Sequence, residues 1–133
     1  MKAFIRLTFL LFSVFIVVGC RETLSDAHID YQGQVTKVVD GDSLYIDSNK
    51  KQIRLFGVDA PERDEPGYEA SRQYLVGLSL NKKIACVEVE RDKYDRIVAR
   101  CNVGKIDLNR EMLSAPYTLE YCRFSNNYYG TCR

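Results

Sequence analysis

Four carboxylates, Asp40, Asp42, Asp59 and Glu62, lie close in sequence to Arg54, and Arg96 follows downstream. They sit in two runs with strand-like apolar residues between them: Asp40-Gly41-Asp42-Ser43 and Arg54-Leu55-Phe56-Gly57-Val58-Asp59-Ala60-Pro61-Glu62. Carboxylate oxygens suit a hard cation. A guanidinium offers paired donors to a phosphate and keeps its charge near neutral pH. A site that needs both at once binds or cuts a phosphodiester. Read more blandly, Asp40 and Asp42 form a turn between strands and the arginines are solvated surface groups. The only histidine, His28, stands apart from these residues. Its isolation argues against histidine-based nuclease chemistry and zinc hydrolysis.

The elements that must position these groups can be read from periodicity. Residues 34–39, 43–47 and 52–58 read as three strands, with a turn signal at Asp47-Ser48-Asn49-Lys50. Pro61 ends the third strand and fixes the backbone before Glu62. Ala70, Tyr74, Leu75 and Leu78 fall at helical spacing over residues 69–78. Residues 85–90 and 97–103 read as a hairpin around Asp92-Lys93-Tyr94-Asp95. Asp107 is a candidate N-cap for a helix carrying Leu108, Met112 and Leu113, which Pro116 stops. Five short strands with a helix after the third suggest an α+β, mostly β fold: a five-stranded OB-type barrel.

The chain has 133 residues, which suits one small folded domain. Lys2 and Arg6 flank an apolar run from Leu7 to Val18, too short to span a bilayer and shaped like a signal-peptide core. The run ends in Val17-Val18-Gly19-Cys20, which resembles a bacterial lipobox with Cys20 as the lipidated residue; an ordinary signal peptide is the alternative. Residues 21–32 read as a polar tether, and residues 33–133 as the folded domain. The expected location is outside the cytoplasm, lipid-anchored to a membrane, with the outer membrane or periplasmic face favoured. Without the first twenty residues the chain carries 17 basic (19 minus Lys2 and Arg6) and 18 acidic residues, a formal −1. That excludes a protein that coats nucleic acid through bulk charge; phosphate binding must be local.

Cys86, Cys101, Cys122 and Cys132 remain, and an exported domain with an even number of cysteines implies disulfides. Three pairings are open to four cysteines. A two-residue hairpin loop on Lys93-Tyr94 would set Cys86 opposite Cys101, leaving Cys122 and Cys132 to close a terminal loop. A zinc site is the competing reading, and the absence of a C-x-x-C knuckle disfavours it.

Taken together and in order, Val-Asp-Gly-Asp-Ser, Ile-Arg-Leu-Phe-Gly-Val-Asp-Ala-Pro-Glu, Asp-Lys-Tyr-Asp-Arg, and Asp-Leu-Asn followed by Tyr121 resemble the staphylococcal nuclease (thermonuclease) family over about residues 34–125. The resemblance implies an OB-fold barrel with two helices and a third-helix region that is shortened here. It implies one Ca²⁺ bound by Asp42, Asp59 and the carbonyl of Ala60, with Asp40 as a supporting carboxylate. Arg54 and Arg96 would clamp the phosphate, and Glu62 would act as general base or orient the attacking water. Lys93, Tyr94 and Tyr121 match positions that contact the nucleotide. The implied activity is Ca²⁺-dependent hydrolysis of DNA or RNA by a monomer. A binding module without activity and a structural lipoprotein are the alternatives. Asp95 stands where the family has glycine, and the resemblance places its charge beside Arg96. Pro116 replaces a further glycine, and Cys122–Cys132 is expected to close the tail in place of the third helix.

Overall fold

A computed structural model describes residues 28–48 and 50–133. The expectations for the signal peptide, for Cys20 and for the tether up to residue 27 lie outside these residues. Strand β1 (Tyr31–Val38) pairs antiparallel with β2 (Ser43–Ile46), which pairs antiparallel with β3 (Lys51–Leu55). Strand β4 (Val58–Asp59) and helix α1 (Tyr68–Ser79) follow, then the long hairpin β5 (Lys83–Arg91) and β6 (Ile97–Val103). The chain continues through β7 (Ile106–Asp107), α2 (Leu108–Leu113), β8 (Leu119–Glu120) and the single turn α3 (Cys122–Ser125). The sheet order is β3-β2-β1-β5-β6-β7, and β3 also pairs in parallel with β6. That last pairing closes β1, β2, β3, β5 and β6 into the expected mostly β barrel.

Strand alternation fills the barrel. Val35, Leu44, Ile46, Ile53, Leu55, Ile84 and Ala99 point inward and are nearly inaccessible, with Leu75 of α1 and Leu108 and Met112 of α2 closing the ends. Asp107 caps α2 as expected: its carboxylate accepts from the Arg110 N–H at 3.0 Å. Asn109, on the buried side of α2, donates to the carbonyls of Phe56 and Ala99 at 2.9 and 3.1 Å and accepts from the Cys101 N–H at 2.9 Å. It thereby joins β3, β6 and α2 at one point.

The structure departs from the expectations at several points. Tyr31 and Gln32, read as the end of the tether, belong to β1 and pair with Cys86 and Ala85. The third strand does not run through to residue 58: Gly57 has φ 72°, which turns the chain out of the barrel. A Cβ there would lie 2.7 Å from the Tyr129 ring. Beyond this turn β4 pairs with β8, a small second sheet that periodicity did not reveal. On α1 the buried positions are Ser71, Leu75 and Ser79, while Ala70 and Tyr74 face outward. A small side chain is needed at Ser71 because the Asp40-Gly41-Asp42 turn presses close; a Cβ on Gly41 would lie 2.7 Å from Cβ of Ser71 and of Ala60.

The hairpin loop is also longer than expected. Arg91 pairs with Ile97, so Asp92 to Arg96 lie in the loop. A bulge between Glu88 and Glu90 absorbs the extra residue, and Cys86 still faces Cys101. Both expected disulfides are formed, Cys86–Cys101 and Cys122–Cys132, which removes the zinc reading for these cysteines.

Candidate active site

One cavity of about 510 Å³ opens where the hairpin loop, the end of β3 and the tail meet. Asp42, Arg54 and Glu62 line it from the β1–β3 side and the loop after β4. Lys93, Tyr94 and Arg96 line it from the hairpin loop, and Tyr121 from the start of α3. The structure therefore brings seven of the residues singled out in the sequence around one space. Asp59 is exposed on β4 and does not line the cavity, nor do Ala60 and Asp40.

Arg54 is fixed by its neighbours. Its Nη1 donates to the Val58 carbonyl at 2.9 Å, and its Nη2 lies 3.3 Å from Oδ2 of Asp42. The guanidinium also stands 5.8 Å from the centre of the Tyr121 ring. The same Asp42 oxygen accepts from the Ala60 N–H at 3.2 Å, and Oδ1 accepts from Oγ of Ser43 at 2.9 Å. Asp40 shapes the turn by accepting from the Asp42 N–H at 3.1 Å. Burial pushes the Asp42 carboxyl up to about 7; Arg54 pulls it down and the neighbouring Asp40 carboxylate raises it. One guanidinium does not offset the burial of this group. The oxygen donors of this turn are of the type that suits a hard cation. The Asp59–Ala60 peptide lies against Asp42 through the Ala60 N–H, so the expected ligand residues are neighbours. Among the described residues, however, no three His, Cys, Asp or Glu side chains converge into a ready-made metal shell.

Arg96 is positioned by Asp92, which the sequence reading passed over. Oδ2 of Asp92 accepts from Nε of Arg96 at 2.6 Å, while Oδ1 accepts from the N–H groups of Tyr94 and Arg96, both at 2.9 Å. Burial works to raise the Asp92 pKa, but these donated bonds and the Arg96 charge outweigh it and hold the carboxyl below its usual range. The charge expected beside Arg96 is thus Asp92. Asp95 does take up the left-handed turn conformation, at φ 60°, but its carboxylate is 89% exposed and meets Nη1 of Arg91 at 3.2 Å. The signal for Asp92 was available: an aspartate opening a loop accepts from backbone N–H groups just ahead of it.

Glu62 lies in the loop before α1, where its N–H donates to Oε2 of Glu65 at 2.8 Å. Tyr121 is held by its own N–H, which donates to the Gly57 carbonyl at 2.8 Å. Tyr94 is exposed, with Nζ of Lys93 4.9 Å and Cζ of Arg96 5.4 Å from its ring centre. The tail that carries Tyr121 folds around Glu120. This buried carboxylate accepts from Oγ of Ser125 at 2.6 Å, the N–H of Tyr129 at 3.0 Å, and the N–H and Oγ1 of Thr131 at 2.8 and 2.7 Å. Burial opposes ionisation, yet the donated bonds hold the Glu120 pKa down to about 2. Leu119 is 71% exposed and Glu120 is inside, the reverse of the usual preference of the two residue types.

A family model described as staphylococcal nuclease homologue matches residues 52–130, which include the cavity-lining residues from Arg54 to Tyr121. The chain belongs to the staphylococcal nuclease family. It is 30% identical over 94 residues to Protein ParB of Escherichia coli, covering 69% of this chain and 50% of that protein. It is 32% identical over 124 residues to Probable endonuclease LCL3 of Phaeosphaeria nodorum, covering 84% and 42%. It is 32% identical over 72 residues to Micrococcal nuclease of Shigella flexneri, covering 53% and 41%. The chain therefore spans half or less of the length of these relatives. Within this staphylococcal nuclease homologue, the tail after Tyr121 is a single helical turn followed by a loop that wraps Glu120 and is closed by the expected Cys122–Cys132 bond.

Proposed function

We propose that the protein is a Ca²⁺-dependent nuclease that hydrolyses phosphodiester bonds of DNA or RNA. The observation that carries this reading is the convergence of Arg54, from β3, and Arg96, from the β5–β6 loop, on one cavity that Glu62 also lines. A phosphate placed between the two guanidiniums meets donors on two sides. They neutralise the charge that builds on its oxygens as water attacks. Glu62 orients the water or takes its proton. Asp92 and Asp42 hold the two arginines so that no reorganisation is needed at that moment. The residues that would hold Ca²⁺ are Asp42, Asp59 and the Ala60 carbonyl, with Asp40 behind them. When bound, the ion would add charge neutralisation at the phosphate.

By this reading the protein acts outside the cytoplasm as a monomer, anchored by lipid on Cys20. Support for that comes only from the apolar run ending in Gly19-Cys20 and from the disulfides, which belong to an oxidising compartment. Labelling of the expressed chain with a radioactive fatty acid, lost in Cys20→Ser, is the expected result.

The direct test is cleavage of single-stranded DNA and RNA by the oxidised protein, with Ca²⁺ and with EGTA, beside Arg96→Ala. Cleavage is expected only with Ca²⁺ and only with Arg96 present. A folded protein that binds oligonucleotide without cutting it would favour the binding-module alternative.

A further inference from the structure

Phe124 and Tyr128 are large rings on the outside of the tail, 54% and 50% exposed, and neither belongs to the buried core clusters. They are not scattered. Phe124 lines the cavity beside Tyr121 and meets that ring edge-on, with centroids 4.7 Å apart. Tyr128 meets Phe56, another cavity residue, edge-on at 5.8 Å. Each exposed ring has its own arginine. The guanidinium carbon of Arg123 is 5.9 Å from the Phe124 centroid, and that of Arg100 is 5.3 Å from Tyr128, whose hydroxyl accepts from Arg100. Tyr94, 67% exposed with Lys93 and Arg96 beside it, repeats this construction inside the cavity. An exposed aromatic face with a cation at its side can stack a base and hold the adjoining phosphate.

Charge gives the direction. Residues 121–133 contain Arg123 and Arg133 and no acidic residue. The loop leaving the cavity on the other side of Glu62 and the first turns of α1 carry Asp64, Glu65 and Glu69 against Arg63 and Arg72. A polyanion continuing from the cavity is drawn over the tail and repelled by that loop.

We propose that the tail is a second stacking track. A single strand whose reacting phosphate lies between Arg54 and Arg96 continues over Phe124–Arg123 to Tyr128–Arg100. This rests on the phosphodiesterase reading of the cavity and adds to it a place for the nucleotides that continue beyond the reacting phosphate. A closed duplex keeps its bases paired and offers none to these rings.

The test is binding of fluorescein-labelled oligothymidylates of two lengths, a trimer and a decamer, by anisotropy under EGTA, so that the strands stay intact. The decamer is expected to bind more tightly than the trimer. Phe124→Leu and Tyr128→Leu keep the apolar contacts but remove the flat faces. Each should weaken decamer binding about tenfold, and a Phe124→Tyr variant should retain tight binding; Tyr128→Leu, at a position outside the cavity, should leave trimer binding within about twofold. No length dependence in the parent protein, or equal loss for both lengths in Tyr128→Leu, overturns the track. Cleavage of the decamer with Ca²⁺ is scored separately. Cleavage without a length effect removes the track and keeps the nuclease; a length effect without cleavage does the reverse.

Discussion

Asp92 decides where Arg96 points. An arginine on a loop has many rotamers, and Asp92 removes most of them by gripping Nε while pinning the loop backbone with its other oxygen. Asp92→Asn should keep the fold and lower kcat/KM on single-stranded DNA by roughly 10- to 100-fold, because a small displacement of a phosphate donor is costly. Asp95→Asn should stay within about twofold, since its carboxylate is exposed and turned to Arg91. Steady-state kinetics on both variants checks this, and equal losses would return the orienting role to Asp95. The contrast also shows what the sequence could tell. Arg54, Glu62 and Arg96, which the structure gathers around one cavity, were singled out through the ordered motifs and the resemblance they carry. The partner that fixes Arg96 was not singled out, because two aspartates, Asp92 and Asp95, flank the loop and attention went to the one next to Arg96 in sequence.

The barrel elements were legible wherever one face alternates, as in β2 and β5–β6. They were lost where backbone geometry overrides the pattern: at Gly57, which turns β3 outward, and at the bulge near Val89. The bulge kept Cys86 opposite Cys101 although the loop was misjudged, so the right pairing followed from an incomplete hairpin. The tail was the least legible element, since a buried glutamate orders it alongside a single buried ring, Tyr129. Glu120 makes that order pH-dependent. Its folded pKa of about 2 lies below the ordinary 4.5, so its contribution is full above about 4.5 and is lost as pH falls toward 2. Glu120→Gln should cost about 1–3 kcal/mol at pH 7 and flatten the decline of Tm over that acidic range. Thermal melts of both proteins from pH 7 to pH 2 measure it; parallel curves would mean that the clamp does not ionise with the fold.

At the scale of the molecule, near-neutral charge and a few placed arginines replace a basic surface. Binding to single strands should then depend only modestly on salt, with a log–log slope of about −2 to −3.5 for three to five phosphate contacts. Titrations of the decamer over a range of salt give this value, and a much steeper slope would point to contacts well beyond the cavity and tail. Reduction should loosen the tail: replacing Cys122 and Cys132 by alanine is expected to cost about 2–3 kcal/mol, and an unchanged Tm would show that Glu120 suffices. The two cystines also bear on how the protein is made. From Cys86 onward each cysteine is bonded to the next one along the chain, at separations of 15 and 10 residues. No thiol has to wait past another for its partner. A chain oxidised in the order in which it emerges reaches the native pairing directly, so its production should need an oxidase but no disulfide isomerase.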